Sequence, residues 1–178
     1  MTDSTPATAF RRSAWSPRQK VVRALWSTFA VPLWRMLPPL RAPLLRLFGG
    51  TIGRRCTLAS SVHIEIPWNI TLGDDVLVAD RVILYSLGPI TVGNGCVLDY
   101  RTHLCAGTHD FTDPNFPLLR PPITIGANSF LGADVYIAPD VEIGEGSRVA
   151  PRSSVHKSCP PGSHLRGNPA KLIEDPSA

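Results

Sequence analysis

Between Asp3 and Glu65 the chain has no acidic residue, although the same stretch holds ten Lys or Arg, among them Arg11, Arg12, Arg18, Lys20, Arg23 and Arg35. The formal charge of +4 is therefore an N-terminal property rather than a uniform one. Charge is scarce elsewhere: only 18% of the 178 residues are charged, against 43% hydrophobic. That balance suits one well-buried domain with terminal extensions and marks no second composition regime. Long apolar runs are missing too. Ala24 to Trp34 is largely apolar behind a basic stretch, but it is shorter than the roughly 20 residues a bilayer span needs. It runs into Arg35 and Pro38-Pro39 with no small-residue cleavage site, so a secretion signal is not read there and the protein is expected in the cytoplasm. The four cysteines, Cys56, Cys96, Cys105 and Cys159, have no zinc-finger spacing, and without a secretion signal they argue against a disulfide framework.

What is abundant is Gly and Pro, 14 and 18 residues, which suits a fold with many tight corners. Internal repetition follows. Ile70-Thr71-Leu72-Gly73, Ile90-Thr91-Val92-Gly93 and Ile123-Thr124-Ile125-Gly126 share one wording, and the first two lie 20 residues apart. Within that period an aliphatic recurs every six residues: Ile52, Leu58, Ile64, then Leu72, Val78, Leu84, then Val92, Leu98, Leu104, then Ile125, Leu131, Ile137, Ile143, Val149 and Val155. Four places after most of these stands a small or β-branched residue, such as Cys56, Val76, Cys96, Thr102, Ser129, Ser147 or Cys159. Two inward positions per hexapeptide, three hexapeptides per coil and coils stacked about 4.8 Å apart describe a parallel β-helix. The pattern leaves its hand open. Cys56, Cys96 and Cys159 then read as compact interior hydrophobes, and Cys105 as outward-facing with no adjacent base to make it a nucleophile.

The third coil fails to close on schedule. From Val92 to Ile125 is 33 residues rather than 20, so thirteen residues, Asp110 to Pro122, are read as leaving the prism just after His109. A single long excursion from a regular scaffold marks function. By repeat register His109 falls at the corner of Pro89 and Asn69. An imidazole there is suited to take a proton from a hydroxyl, and equally to tether the loop.

The run Leu104-Cys105-Ala106-Gly107-Thr108-His109-Asp110-Phe111-Thr112-Asp113-Pro114, together with Leu47-Phe48-Gly49-Gly50, Pro67-Trp68-Asn69-Ile70 and Gly167-Asn168-Pro169-Ala170-Lys171, resembles the colanic acid biosynthesis O-acetyltransferases of the hexapeptide acyltransferase superfamily. The resemblance covers most of the chain. It implies a left-handed hand for the β-helix and a homotrimer with active sites between subunits. It implies acetyl-CoA as co-substrate with no metal, and a sugar, nucleotide-sugar or lipid-linked glycan as acceptor. It places the catalytic base on His109 and an oxyanion-binding backbone amide on Ala133. Gly132, Ala133, Ala138, Gly144 and Ala150 are the expected path of the pantetheine arm, and Lys157, Arg166 and Lys171 the expected partners of the CoA phosphates. For the acceptor, Asn69, Asp80, Tyr85, Ser86 and Asp110 are the candidates. The chain departs from the family wording at Asn128-Ser129-Phe130, His156-Lys157-Ser158 and Ala150-Pro151, all on the cofactor side.

Three organisational units are expected: a basic amphipathic arm over 1–50, a β-helix over 51–160 with its insertion at 110–122, and a tail over 161–178. Ser16-Pro17 reads as a helix start, with Val21, Val22, Leu25, Trp26 and Phe29 as an apolar stripe. The stripe either caps the open first coil or rests on an anionic membrane face, and the two are compatible. Competing functions are an antibiotic-modifying acetyltransferase of the same superfamily, a zinc carbonic anhydrase-like enzyme using His63, His103 and His109, and a noncatalytic binding prism. The second is disfavoured because His63 and His103 sit two coils apart, about 9.6 Å.

Overall fold

The computed structural model describes residues 15–173. From Thr51 onward the chain winds into a three-faced prism. Its first face stacks Thr51–Ile52, Ile70–Leu72, Ile90–Val92, Ile123–Ile125 and Glu142–Ile143, all parallel. The second face stacks Thr57–Leu58, Leu77–Val78, Val97–Leu98, Phe130–Leu131, Arg148–Val149 and His164–Gly167. The third stacks His63–Ile64, Ile83–Tyr85, His103–Cys105, Tyr136–Ile137 and Ser154–Val155.

The register puts like on like. Ile52, Leu72, Val92, Ile125 and Ile143 form one interior row, Leu58, Val78, Leu98, Leu131, Val149 and Leu165 a second, and Ile64, Leu84, Leu104, Ile137 and Val155 a third. Every one of these is buried. Strand alternation turns their neighbours, such as Leu77, outward. The small positions behind the rows are buried but polar in part, and their hydroxyls bond carbonyls of the next coil: Thr102 Oγ1 to Gly132 O at 3.1 Å, Ser129 Oγ to Gly144 O at 3.1 Å. No buried hydroxyl there is left to carry a desolvation cost. Cys96 is buried, Cys56 and Cys159 are half-buried against the core, and all four cysteines are free.

Corners are left-handed backbone turns. Arg55, Asp75, Gly95, Asn128 and Gly146 have positive φ after the first face, and Arg81, Arg101, Asp134 and Arg152 after the second. An L residue resists that region by roughly 1–2 kcal/mol, and the ladder bonds on either side hold it there. Close stacking also explains the recurring glycine after the first-face strand: a Cβ on Gly126 would lie 2.4 Å from Glu145 N.

The arm is a series of short helices, Pro17–Leu25, a π turn Trp26–Ala30, Val31–Met36, a 3-10 turn Pro38–Leu40 and Arg41–Leu47. Ser16 starts it with a reciprocal capping box: its Oγ accepts from Gln19 N and its N–H donates to Gln19 Oε1. Its donors close the otherwise open first coil on all three faces. Arg46 donates to Ile52 O at 2.8 Å, Arg41 to Leu58 O at 2.6 Å and Trp26 Nε1 to Ile64 O at 3.0 Å. The arm therefore satisfies the strand edge that would otherwise recruit another chain. The expected stripe divides, however: Trp26, Ala30 and Trp34 are buried on the prism, while Val21, Leu25 and Phe29 face away from it. Arg11 and Arg12 lie outside the described residues. No described helix is long and apolar enough to cross a membrane.

At the other end strand stacking continues past residue 160, where the sequence period had faded. His164–Gly167 extends the second face and Ala170–Leu172 returns beside it antiparallel. Replacing an interior rung should be costly. Leu98→Ala is expected to lower stability by about 2–5 kcal/mol, whereas outward-facing Leu77→Ala on the same face should stay within about 0.5 kcal/mol; urea unfolding followed by circular dichroism measures both.

Candidate active site

The interruption of the repeat is a hairpin. Thr108–His109 pairs antiparallel with Leu118–Leu119, so the chain has already left the prism at Thr108, before His109 rather than after it. At the corner below Pro89 stands Pro122, since Ile123 pairs with Ile90 and Ile123 N–H bonds Pro89 O. His109 is accordingly not stacked on Pro89 and Asn69, as the bare period suggested, but carried out from that corner on the hairpin.

Inside the hairpin the imidazole is fixed by two contacts. Nδ1 lies 2.8 Å from the Phe116 carbonyl, and the ring stacks on the Phe116 ring at 4.6 Å and 13°. A carbonyl only accepts, so Nδ1 carries the proton and Nε2 presents a lone pair. Phe111 packs edge-on against Phe116 at 5.1 Å and is 77% exposed, giving the hairpin an apolar tip. Asp110 is engaged within the hairpin: its Oδ1 takes hydrogen bonds from Thr112 Oγ1 and Thr112 N at 2.6 and 2.8 Å, which hold its carboxyl below the usual carboxylate range and shape the turn. Asp113 Oδ1 accepts from Asn115 N and Nδ2 at 2.8 and 3.1 Å. At the hairpin's return, the Arg120 guanidinium lies 3.9 Å above the Trp15 ring, which meets Trp68 edge-on at 6.4 Å. The arm is thus pinned to the root of the loop. None of these Phe116, Thr112 and Trp15 contacts is marked in the sequence, although Asp113-Pro114-Asn115 is a turn signal that already implies a hairpin.

Two acceptor candidates have structural partners, and only Ser86 is removed by its burial. Ser86 is fully buried, donating to Ile66 O and accepting from Ile66 N, whereas half-exposed Asn69 donates through Nδ2 to Ser86 O and Leu87 O and keeps its Oδ1 to accept. Both join coils. Tyr85 stays half-exposed on the third face, edge-on to His103 at 6.3 Å, with burial raising its phenol above the ordinary value. Asp80 is exposed but lies at the corner between the second and third faces, where it accepts from Ser61 Oγ.

That same corner holds the expected oxyanion and pantetheine residues Gly132, Ala133 and Ala150, while Ala138 and Lys157 follow the third face. Gly132 has a structural reason for its size, since a Cβ there would sit 2.8 Å from Pro151 N. Gly144 has the same reason one coil on, against Pro160 and Pro161. Ala133 lies between Gly132 and Asp134, whose N–H groups bond Val149 O and Tyr100 O. Within one chain, then, Ala133 and the His109 hairpin stand at opposite ends of the third face, on the order of 13 Å apart for about four extended residues. Arg166 and Lys171 are direct cross-strand partners, both exposed.

The third face also carries residues that the sequence reading used only in passing. His63, Ile83, His103, Tyr136 and Ser154 form one outward row, so His63 and His103 are indeed two coils apart, while His109 is out on the hairpin. Among the described residues no three His, Cys, Asp or Glu groups gather as a metal site. The tyrosine at 136 is pushed up to about 12, by burial and then by its hydrogen bond with Cys105. His103 is edge-on to both Tyr85 and Tyr136, its Nε2 buried with no hydrogen-bond partner, and burial, then the charge of His63, lowers its pKa. The unfolded chain therefore takes up a proton at higher pH than the folded one. The resulting stability is complete above the ordinary value of about 6.5 and is lost as pH falls below it. His103→Phe should flatten the decline in melting temperature between about pH 8 and pH 5.5; an unchanged slope would remove His103 from the account.

Comparison with known proteins agrees with this architecture. Residues 122–157 match the bacterial transferase hexapeptide (six repeats) model. WcaF of Escherichia coli (strain K12), named as a colanic acid biosynthesis acetyltransferase, is 42% identical over 167 residues, which is 94% of this chain and 88% of that protein. The hexapeptide-repeat acetyltransferase of Vibrio cholerae O1 biovar eltor, solved with acetyl coenzyme A, superposes with a TM-score of 0.83 at 23% identity, covering 91% of each chain. A maltose O-acetyltransferase from Clostridium difficile 630 gives 0.81 at 22% identity, covering 89% of this chain and 88% of its own. The prism is the left-handed parallel β-helix of these proteins, and the chain belongs to the hexapeptide-repeat acetyltransferases.

Proposed function

We propose that this protein transfers an acetyl group from acetyl-CoA to a sugar hydroxyl in polysaccharide or glycoconjugate biosynthesis, with His109 as general base. The observation that carries the reading is the tautomer: the Phe116 carbonyl holds the Nδ1 proton, leaving Nε2 to accept one. In the ternary complex Nε2 takes the acceptor's hydroxyl proton as that oxygen attacks the thioester carbonyl. The tetrahedral oxyanion collapses to the acetyl ester and releases CoA thiolate, which recovers the proton from the imidazolium. No acyl-enzyme forms, and Cys105 has no covalent role. The Ala133 N–H is the oxyanion donor, an interaction whose loss typically slows catalysis about 100- to 1000-fold. The small corner residues Gly132, Ala138 and Ala150 let the pantetheine arm run close to backbone. The cross-strand neighbours Arg166 and Lys171, with Lys157, receive the CoA phosphates. Tyr85 remains on the acceptor side. The polysaccharide context is supported by the name of the 42% identical WcaF and the sugar acceptor by that of the maltose O-acetyltransferase.

The separation of His109 from Ala133 across the third face supports a site assembled between subunits of a homotrimer, base from one protomer and oxyanion donor from its neighbour. Two measurements test this. CoA release from acetyl-CoA with a panel of nucleotide sugars, lipid-linked oligosaccharides and aminoglycoside-like acceptors should fall roughly 100- to 10,000-fold in His109→Ala; undiminished acceptor-dependent release would exclude the base. Co-expressing His109→Ala with Ala133→Pro, which deletes the N–H, should restore part of the activity that each folded variant lacks alone, because one mixed interface is intact. Absence of complementation would place both groups in one chain's own site.

A further inference from the structure

The arm turns one row of side chains to the prism and another to solvent. Trp26, Ala30 and Trp34 are buried on the first coil, whereas Val21, Leu25, Phe29, Leu33, Met36 and Leu37 are all exposed, Phe29 to 63% and Met36 to 74%. Most of these outer residues are four apart, so they follow one another along successive turns. The row continues into a groove of about 600 Å³ between Arg18, Val22, Leu25, Leu47, Phe48 and Trp68. Capping the prism therefore uses one face of the arm and leaves a second apolar face that no described residue covers, and contiguous exposed apolar surface marks an interaction site.

Its charge selects the occupant. Arg18 lines that groove, Lys20 and Arg35 are exposed on the flank of the arm that faces His63 and Glu65, and the arm itself has no acidic residue between Asp3 and Glu65. A second copy of this face would bring cations against cations. Anionic headgroups above an apolar layer complement both features at once, and the helices are too short to do more than lie in the plane. We propose that the outer face of the arm docks this protein on an anionic lipid bilayer. Docking there sets the bilayer beside the hairpin root, because Trp15 of the arm is stacked under Arg120.

Co-sedimentation of the full chain with vesicles tests this directly. Vesicles of phosphatidylglycerol and phosphatidylcholine should carry the protein down, phosphatidylcholine alone should carry less, and about 0.5 M salt should weaken the association. Phe29→Asp with Met36→Asp should lower partitioning by roughly tenfold or more, since two inserted apolar side chains are lost, at unchanged melting temperature and sedimentation coefficient. Leu172→Asp, exposed at the far end of the prism, should leave it unchanged. The proposal is overturned if wild type does not bind anionic vesicles, if the double variant binds equally, or if that variant instead reduces the size of the assembly, which would assign the face to a contact between copies of this chain.

Discussion

Everything in this molecule depends on aliphatic side chains stacking on their own counterparts one coil away. The strand spacing of a parallel ladder, about 4.8 Å, is close to the contact distance of two methyl-bearing side chains. A row such as Ile52, Leu72, Val92, Ile125 and Ile143 therefore packs side chain on side chain through the interior while the backbone bonds form at the same repeat. The corners inherit their strain from that requirement. Arg81, Arg101, Asp134 and Arg152 adopt a backbone region that they avoid elsewhere because the rungs on both sides leave no alternative.

A scaffold held by identical rungs has little freedom within itself and a problem at its ends. The first coil presents carbonyls with no strand below, and the arm answers with donors on each face, Arg46, Arg41 and Trp26. The last coil is answered differently, by a strand that doubles back from His164–Gly167 to Ala170–Leu172. Within the described prism the chain abandons the ladder at the hairpin, and there it supplies its own order through Asp110, Asp113 and the stack of Phe111, Phe116 and His109.

The interior was legible residue by residue because a six-residue period is a local property of the chain: all the aliphatics it selected are buried. His109 was legible as the residue nearest the break. Its exact seat was not, because a count of 33 against 20 gives the length of an insertion and not the point at which it departs; pairing of Thr108 with Leu119 decides that. Ser86 misled for a related reason. A polar residue near a break looks like a ligand contact, yet its hydroxyl, fully buried, joins one coil to the next. The small residues Gly132 and Gly144 are ambiguous in the same way, since stacking alone demands them. The tautomer of His109 depends on a carbonyl seven residues away, and the division of the arm into two apolar faces depends on how Trp26 and Trp34 seat on the first coil. Neither distance is encoded in a pattern that composition or periodicity detects.

The regular pitch has a further meaning for the protein as a machine. Arm and hairpin are separated by a whole number of coils, so the height of the imidazole above the arm is quantised in steps of about 4.8 Å. A ruler of that kind cannot be adjusted by drift in single residues. A relative that needed this imidazole at another height would have to gain or lose an entire coil, because residues added within a coil leave at a corner, as the hairpin does here, and Ile125 still pairs with Val92.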